Sequence, residues 1–375
     1  MRRLIAAFLF TSALFSATAG FGYKRAITID RTKCGTANST DFPVLVYGTY
    51  SWLATTANGG RVQSAAGYDI GFFADSNLTT QLKHEVVSYT PATGAIEIWV
   101  KVPTLSVSAN TVIYIAYGDA AVTSPTEDPT AVWDAGYVGV WHFGTASSLS
   151  VKNSKTGTNA TNSGAAAAAG KIGGAANFAD NTDVITTDVT ASSASFTIEF
   201  WARPSAAHEG YLGRIVDKQP SGGVRDFMLY RNTNPNNYQY QLNVGWSTSS
   251  GDWGPANQTA LDNVTRHVMW SYNGSSTAND GVMHSDGVQQ SVNEALSPSG
   301  TRNSNTAAVL IGNRAQLDRG FDGWIDELRL SNVARSPSWA VASRNNQNDP
   351  ATFYSIGTEA EIPQGRPRLI VISDQ

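Results

Sequence analysis

Charge is scarce in this chain: charged residues make up 15% of its 375 positions, and the formal net charge is −4. No basic stripe emerges, so nucleic acid and anionic membrane surfaces, which both need clustered Lys and Arg, are excluded as partners. Cysteine is scarcer still. Cys34 is the only one, which rules out an internal disulfide and leaves no thiol for lipid attachment beside an export signal; a lone thiol reads as a small buried hydrophobe. The five histidines, His84, His142, His208, His267 and His284, include no i, i+4 pair of the kind that holds zinc on a helix. No Gly-x-Ser-x-Gly turn presents a nucleophilic serine. Long helical periodicity and solenoid-type repeats are missing too. What recurs is short β-type runs separated by turn residues, the pattern of an all-β protein.

The first residues carry an apolar run. Arg2 and Arg3 precede Leu4 to Phe15, and Ala17-Thr18-Ala19 supplies small residues at cleavage positions. The run has signal-peptide rather than membrane-spanning length. Export with removal of residues 1–19 is therefore expected, giving a periplasmic, cell-surface or extracellular protein that is not integral to a membrane. From Tyr23 to Asp30 apolar and polar residues alternate as in a strand with one face on a core. Further strands are predicted over 42–47, 69–73, 83–89, 96–102 and 111–117, with Pro91-Ala92-Thr93-Gly94 closing a hairpin. Successive strand residues point to opposite faces, so His84 and Glu85 read as a solvated or locally hydrogen-bonded pair. Residues 120–136 hold Pro125 and Pro129 and predict an extended polar linker.

Beyond the linker, Phe196, Ile198 and Phe200 should share one strand face, with Thr197, Glu199, Trp201 and Arg203 on the other. Asp286-Gly287 is a strong hairpin signal. In Phe321 to Ser336, apolar Ile325, Leu328 and Leu330 with intervening Asp326, Glu327 and Arg329 read as a half-buried strand broken once in its alternation. Pro337 and Trp339 to Arg344 predict a short helix, Phe353 to Gly357 a last strand, and residues 361–375 a mobile tail.

The glycine turn into Ile325-Asp326-Glu327, followed by Asn332 and Arg335, resembles the closing strand of the laminin-G-like, concanavalin A-type lectin/glucanase superfamily. Val138 to Phe143, Gly170 to Phe178, Ser195 to Pro204, Arg266 to Gly274 and Met283 to Val288 continue that resemblance in order. Tyr23-Lys24-Arg25, Asp69 to Phe72, His84-Glu85-Val86, Ile98 to Pro103 and Ile115 to Asp119 resemble a bacterial domain-of-unknown-function family that often precedes such a domain. The two resemblances imply an all-β protein of two β-sandwich domains: a small one over 20–119 and a concanavalin A-like (laminin-G-like) jelly roll over 137–360. Some members of the first family serve proton-driven energisers of the Ton, Tol or flagellar-stator type, which implies an envelope protein partner. Related sandwiches carry a structural Ca²⁺ beside the closing strand. That resemblance makes Asp326 the implied calcium ligand, the other reading being that Asp326 caps loop amides.

A retaining glycosidase places two carboxylates about 5 Å apart across its cleft. The pattern Glu-x-Asp-x-x-Glu is absent, Glu199 stands alone beside Trp201, and Asp326 and Glu327, being successive, are expected on opposed faces. No catalytic residue is assigned. Sugars present apolar C–H faces ringed by hydroxyls and call for flat aromatics beside amides and carboxylates. Tyr211, Tyr238, Tyr240, Trp246 and Trp253 lie with Asn243 and Asp252 in the loop-rich middle of the large unit, and Glu199, Trp201 and Arg203 form a second candidate face. The expectation is an exported, non-catalytic carbohydrate- or surface-polymer-binding protein. The alternative is a protein-binding scaffold of an envelope complex that uses the same aromatics as anchors.

Overall fold

The computed structural model describes residues 20–205, 212–232, 240–256 and 262–363. The expected signal over 1–19 lies outside these residues, as do Tyr211, Tyr238, His208 and 364–375. No helix among the described residues is long and apolar enough to cross a membrane.

The small unit pairs two antiparallel sheets. One runs in the order Ser39–Thr49, Ala95–Leu105 and His84–Thr90; the other contains Tyr23–Ile29 between Thr111–Tyr117 and Tyr354–Ile356. Ile27, Ile29, Val44, Val46, Ile98 and Val100 fill the space between them and are all fully buried. The predicted hairpin at 91–94 forms, and Gly94 is required there. Its φ is +70°, and a Cβ would sit 2.1 Å from the Tyr50 carbonyl oxygen.

Two expected boundaries are corrected. Residues 354–361, read as the end of the jelly roll and the start of a tail, return to the small unit. Ile27 pairs with Ile356, Ile29 with Tyr354, and Tyr23 with Glu361. The linker at 120–136 is not a free spacer. Glu127 accepts the Val86 amide at 2.7 Å, the Asp128 amide donates to the His84 carbonyl at 2.9 Å, and Val132 and Trp133 are buried. Its prolines keep most of it extended, and its polar groups find partners along the neighbouring strand.

Among the described residues, the large unit is a sandwich of two eight-stranded antiparallel sheets. The first centres on Gly323–Ser331, flanked by Phe196–Pro204 and Gly174–Phe178 and also paired with Tyr137–Trp141; the second contains, in spatial order, Gly213–Lys218, Phe227–Arg231, Gln241–Val244 and Gly251–Pro255. As the alternation predicts, Phe196, Ile198 and Phe200 enter the core, where they meet Val216, Leu229, Leu242 and Val244.

The outer face of the first sheet is covered. The helix Pro337–Asn348 is capped by Ser336, whose hydroxyl accepts the Trp339 amide. The Asn346 amide group exchanges hydrogen bonds with both backbone groups of Leu45 in the small unit, at 2.6 and 3.0 Å. Tyr137, Val140, Ile172, Met269 and Trp339 of the large unit belong to the same apolar cluster as the small unit's core. One continuous interior therefore joins the two units.

Candidate functional site

The second sheet presents its other face away from the core, and strand register arranges that face in rows. Asp217 pairs with Met228, Met228 with Asn243, and Asn243 with Asp252; alongside, Arg214 pairs with Tyr230 and Tyr230 with Gln241. Period-two alternation puts all seven on the face opposite Leu229, Leu242 and Val244. Their polar groups interlock. Asp252 accepts from Asn243 Nδ2 at 2.9 Å, from Tyr230 at 3.3 Å and from Gln241, while Arg214 Nε donates to Asp217 Oδ2 at 3.0 Å. Asp217 Oδ1 has no partner. All seven side chains are buried, and burial pushes the Asp217 and Asp252 carboxyls up. The strand ends Gly213, Arg231, Gln241 and Pro255, which border segments 206–211, 233–239 and 257–261, lie together at one end of this sheet.

The expected aromatic anchors sit on the other side of the same strands. Tyr240 and Trp253 are fully buried in the sandwich core, against Phe200 and Tyr272 respectively, and Trp246 is 8% exposed with its Nε1 donating to the Tyr272 hydroxyl. This corrects the reading of these rings as ligand platforms: Trp253 pairs with Leu242, so alternation sends Trp253 inward and its neighbour Asp252 outward. Tyr211 and Tyr238 lie outside the described residues.

The second expected face, Glu199, Trp201 and Arg203, points at the covering helix and the small unit. Glu199 is 3% exposed and accepts from Gln347 Nε2 at 3.0 Å and from the Ser343 hydroxyl, with His267 Nε2 at 3.1 Å; Trp201, 2% exposed, donates to Gln347 Oε1 at 2.8 Å. Neither is open to a ligand, a second correction. Arg203 is exposed and donates to the Asn263 carbonyl at 3.0 Å.

A charged cluster missed at the level of sequence fills the seam between the units. On the closing strand Ile325, Leu328 and Leu330 face the core, but Asp326 and Glu327 both face the small unit, contrary to the expected opposition. Glu199 pairs with Arg329 whereas Trp201 pairs with Asp326, so a bulge absorbs one residue, and Glu327 takes a φ of +49°. Glu327 Oε1 lies 2.7 Å from His142 Nδ1, and Glu327 Oε2 accepts from Arg329 at 2.7 Å. The Arg329 guanidinium, 3.6 Å from Glu199, stacks 4.2 Å over the Trp99 ring of the small unit. Glu85 accepts from Trp133 Nε1 at 2.9 Å and from Ser154 at 2.5 Å, with its Oε2 3.5 Å from His142 Nε2. His84 and Glu85 do point apart, but both are buried rather than solvated.

These neighbours set the charges. Burial alone would lower the His142 pKa, but Glu327 and Glu85 outweigh it and lift it to about 10. Burial would raise Glu199, yet Arg329 and His267 hold it at about 2. Glu97 is pushed up to about 8 by burial and then by Glu327. Asp326 Oδ2 accepts the amides of Lys171 and Ile172 at 2.8 and 2.9 Å, while its Oδ1 is buried without a partner. Burial and Glu327 raise its pKa well above the carboxylate range. Among the described residues, the group with metal-ligand spacing is Glu97, His142 and Glu327.

Residues 178–340 match the family model of the concanavalin A-like lectin/glucanases superfamily. The large unit is a concanavalin A-like sandwich. Residues 66–156 match a domain of unknown function (DUF2341), which precedes it as the sequence resemblance implied. No curated protein matches the chain. Among solved structures the concanavalin A-like fold is similar to the binding domain of Paraclostridial Mosquitocidal Protein 1, at 12% identity and a TM-score of 0.43, covering 56% of this chain and 52% of that one. It is also similar to domain 4 of AbnA, a GH43 extracellular arabinanase from Geobacillus stearothermophilus, in complex with arabinotriose, at 18% identity and a TM-score of 0.39, covering 52% and 92%. A SAP-like pentraxin from Limulus polyphemus matches at 13% identity and a TM-score of 0.35, covering 44% and 78%. The chain spans about half the length of the first of these.

Proposed function

We propose that the protein is exported and that its concanavalin A-like unit binds a carbohydrate or another surface polymer without cleaving it. The observation that carries this reading is the pair of hydrogen-bonding rows on the outer face of the second sheet, Arg214, Tyr230 and Gln241 beside Asp217, Asn243 and Asp252. A polyhydroxyl ligand is recognised by convergent donors and acceptors held rigid on strands, with some apolar surface such as Met228 between them.

Cleavage is disfavoured by spacing. Asp217 and Asp252 stand three strands apart in the same row, about 14 Å at roughly 4.8 Å per strand. Glycosidase pairs stand about 5 to 9.5 Å apart. Export rests on the charged start, short apolar run and small residues before Gly20. The small unit fixes the orientation of the binding unit through their shared interior.

The test is a glycan array followed by titration of any hit with wild type, Arg214→Ala and Asn243→Ala. Each variant should bind at least about tenfold more weakly, the effect of removing one well-placed polar contact to a desolvated ligand. Unchanged affinity in both, with the fold intact, would move the site elsewhere. Reducing ends released by wild type but not by Asp252→Asn would overturn the non-catalytic reading.

A further inference from the structure

We propose that Glu97, His142 and Glu327 hold one divalent transition-metal ion of the zinc class in the seam between the two units. One potential ligand atom of each residue lies within 4.8 Å of the other two, and all three residues are buried. Clustering alone would not suffice. The second observation is that Glu97, 2% exposed, has its Oε1 buried without a hydrogen-bond partner. Native interiors rarely leave such an atom unpaired, and a bound ion satisfies it.

The surroundings fit a cation. Glu85, Glu97, Glu199, Asp326 and Glu327 are five buried carboxyl groups, and the charged partners in contact with them are Arg329 and His142. Arg329 is already committed to Glu327 and Glu199. Among the described residues no cation lies in ion-pair contact with Glu97, and a divalent ion supplies one. His142 has a carboxylate at each ring nitrogen, Glu327 at Nδ1 and Glu85 at Nε2. With Nδ1, the nitrogen beside Glu327, meeting the ion, Nε2 keeps Glu85 to orient the ring, the usual arrangement behind a metal-bound histidine.

The donor set selects the class of ion. One imidazole nitrogen with carboxylate oxygens suits zinc and its neighbours, whereas calcium takes six to eight oxygens. Asp326, the calcium candidate read from resemblance, spends Oδ2 on two backbone amides, as the amide-capping reading has it. A cleft of about 150 Å³, lined by Glu85, His142, Ser150, Lys152 and Ser154, gives an entry path to the imidazole. Glu97 belongs to the small unit and the other two ligands to the large one, so the site exists only when the units are docked.

The experiment uses the full mature chain, stripped with a chelator and titrated with Zn²⁺, Mn²⁺ and Ca²⁺ by calorimetry, with elemental analysis after dialysis. One equivalent of Zn²⁺ per chain is expected. Glu97→Gln and His142→Gln should each weaken Zn²⁺ binding by about ten- to a hundredfold or more. The isosteric Glu97→Gln decides the matter alone if His142→Gln fails to fold. Zn²⁺ binding that is absent, or unchanged in Glu97→Gln, would overturn the site, and tighter binding of Ca²⁺ than of Zn²⁺ would overturn the assigned class.

Discussion

Asp326 and Glu327 are consecutive, yet they project from the same face of the closing strand, with a bulge at Glu327 between the pairs Glu199–Arg329 and Trp201–Asp326. An unbulged strand would turn Glu327 into the apolar core of the sandwich. The bulge instead delivers it to His142 and Arg329, so a backbone irregularity decides which side of the sheet holds the charge.

Replacing Glu327 by Gln keeps the shape and removes the charge that both His142 and Arg329 face. Two buried cations then lose their main partner, and the loss should be about 3–5 kcal/mol by urea denaturation. The His142 pKa should fall at the same time, readable by NMR. A stable variant with an unmoved His142 titration would show that Glu327 is not what holds the imidazole charged.

Acid should weaken the fold through His84. Burial pushes its pKa down to about 4, whereas an unfolded histidine titrates near 6.5. Between those values the unfolded chain binds more protons, so His84's contribution is complete above about pH 6.5 and is lost as pH falls toward 4. His84→Phe, beside Phe72, should flatten that loss by up to about 3 kcal/mol. An unchanged slope of stability against pH would place the acid sensitivity elsewhere, with His284, also lowered to about 4, the next group to test.

The two units should melt together. Calorimetry is expected to show a single transition, because their interior is continuous and strands 354–361 complete the small unit. Asn346→Ala orphans the buried backbone N–H and C=O of Leu45 and should cost about 2–4 kcal/mol. Two resolved transitions, one of them insensitive to Asn346→Ala, would restore the picture of independent units.

Trp253→Ala should cost about 3–5 kcal/mol by leaving a hole in the sandwich core. Arg214→Ala, on the opposite face of the same sheet, should leave the core packing intact. Circular dichroism melts of the two variants make the comparison, and a harmless Trp253→Ala would mean the ring is not structural.

Much of the strand pattern was legible because period-two burial follows from local geometry. Phe196, Ile198 and Phe200 enter the core as alternation requires, and the Asp286-Gly287 hairpin forms with φ of +50° and +78° at the two turn residues. The candidate site was harder to read. The aromatics in the middle of the large unit serve the interior while Asn243 and Asp252 face the other way, since alternation cannot say which face looks inward until the sheets are stacked. Glu199 and Trp201 looked exposed because nothing local reveals that a helix and a second unit cover them. Glu97, His142 and Glu327 come from three segments far apart in the sequence, and no spacing rule joins them.

The return of Tyr354–Ile356 to the strand Tyr23–Ile29 has a kinetic consequence. The first strand of the small unit can pair early with Thr111–Tyr117, but its other edge stays open until nearly the whole described chain has been made. Contacts of such long sequence separation form late and slow folding, and an open strand edge invites pairing with other chains meanwhile. Supplying a peptide of residues 354–361 in trans during refolding should raise the yield of monomer, because it closes that edge before a second molecule can.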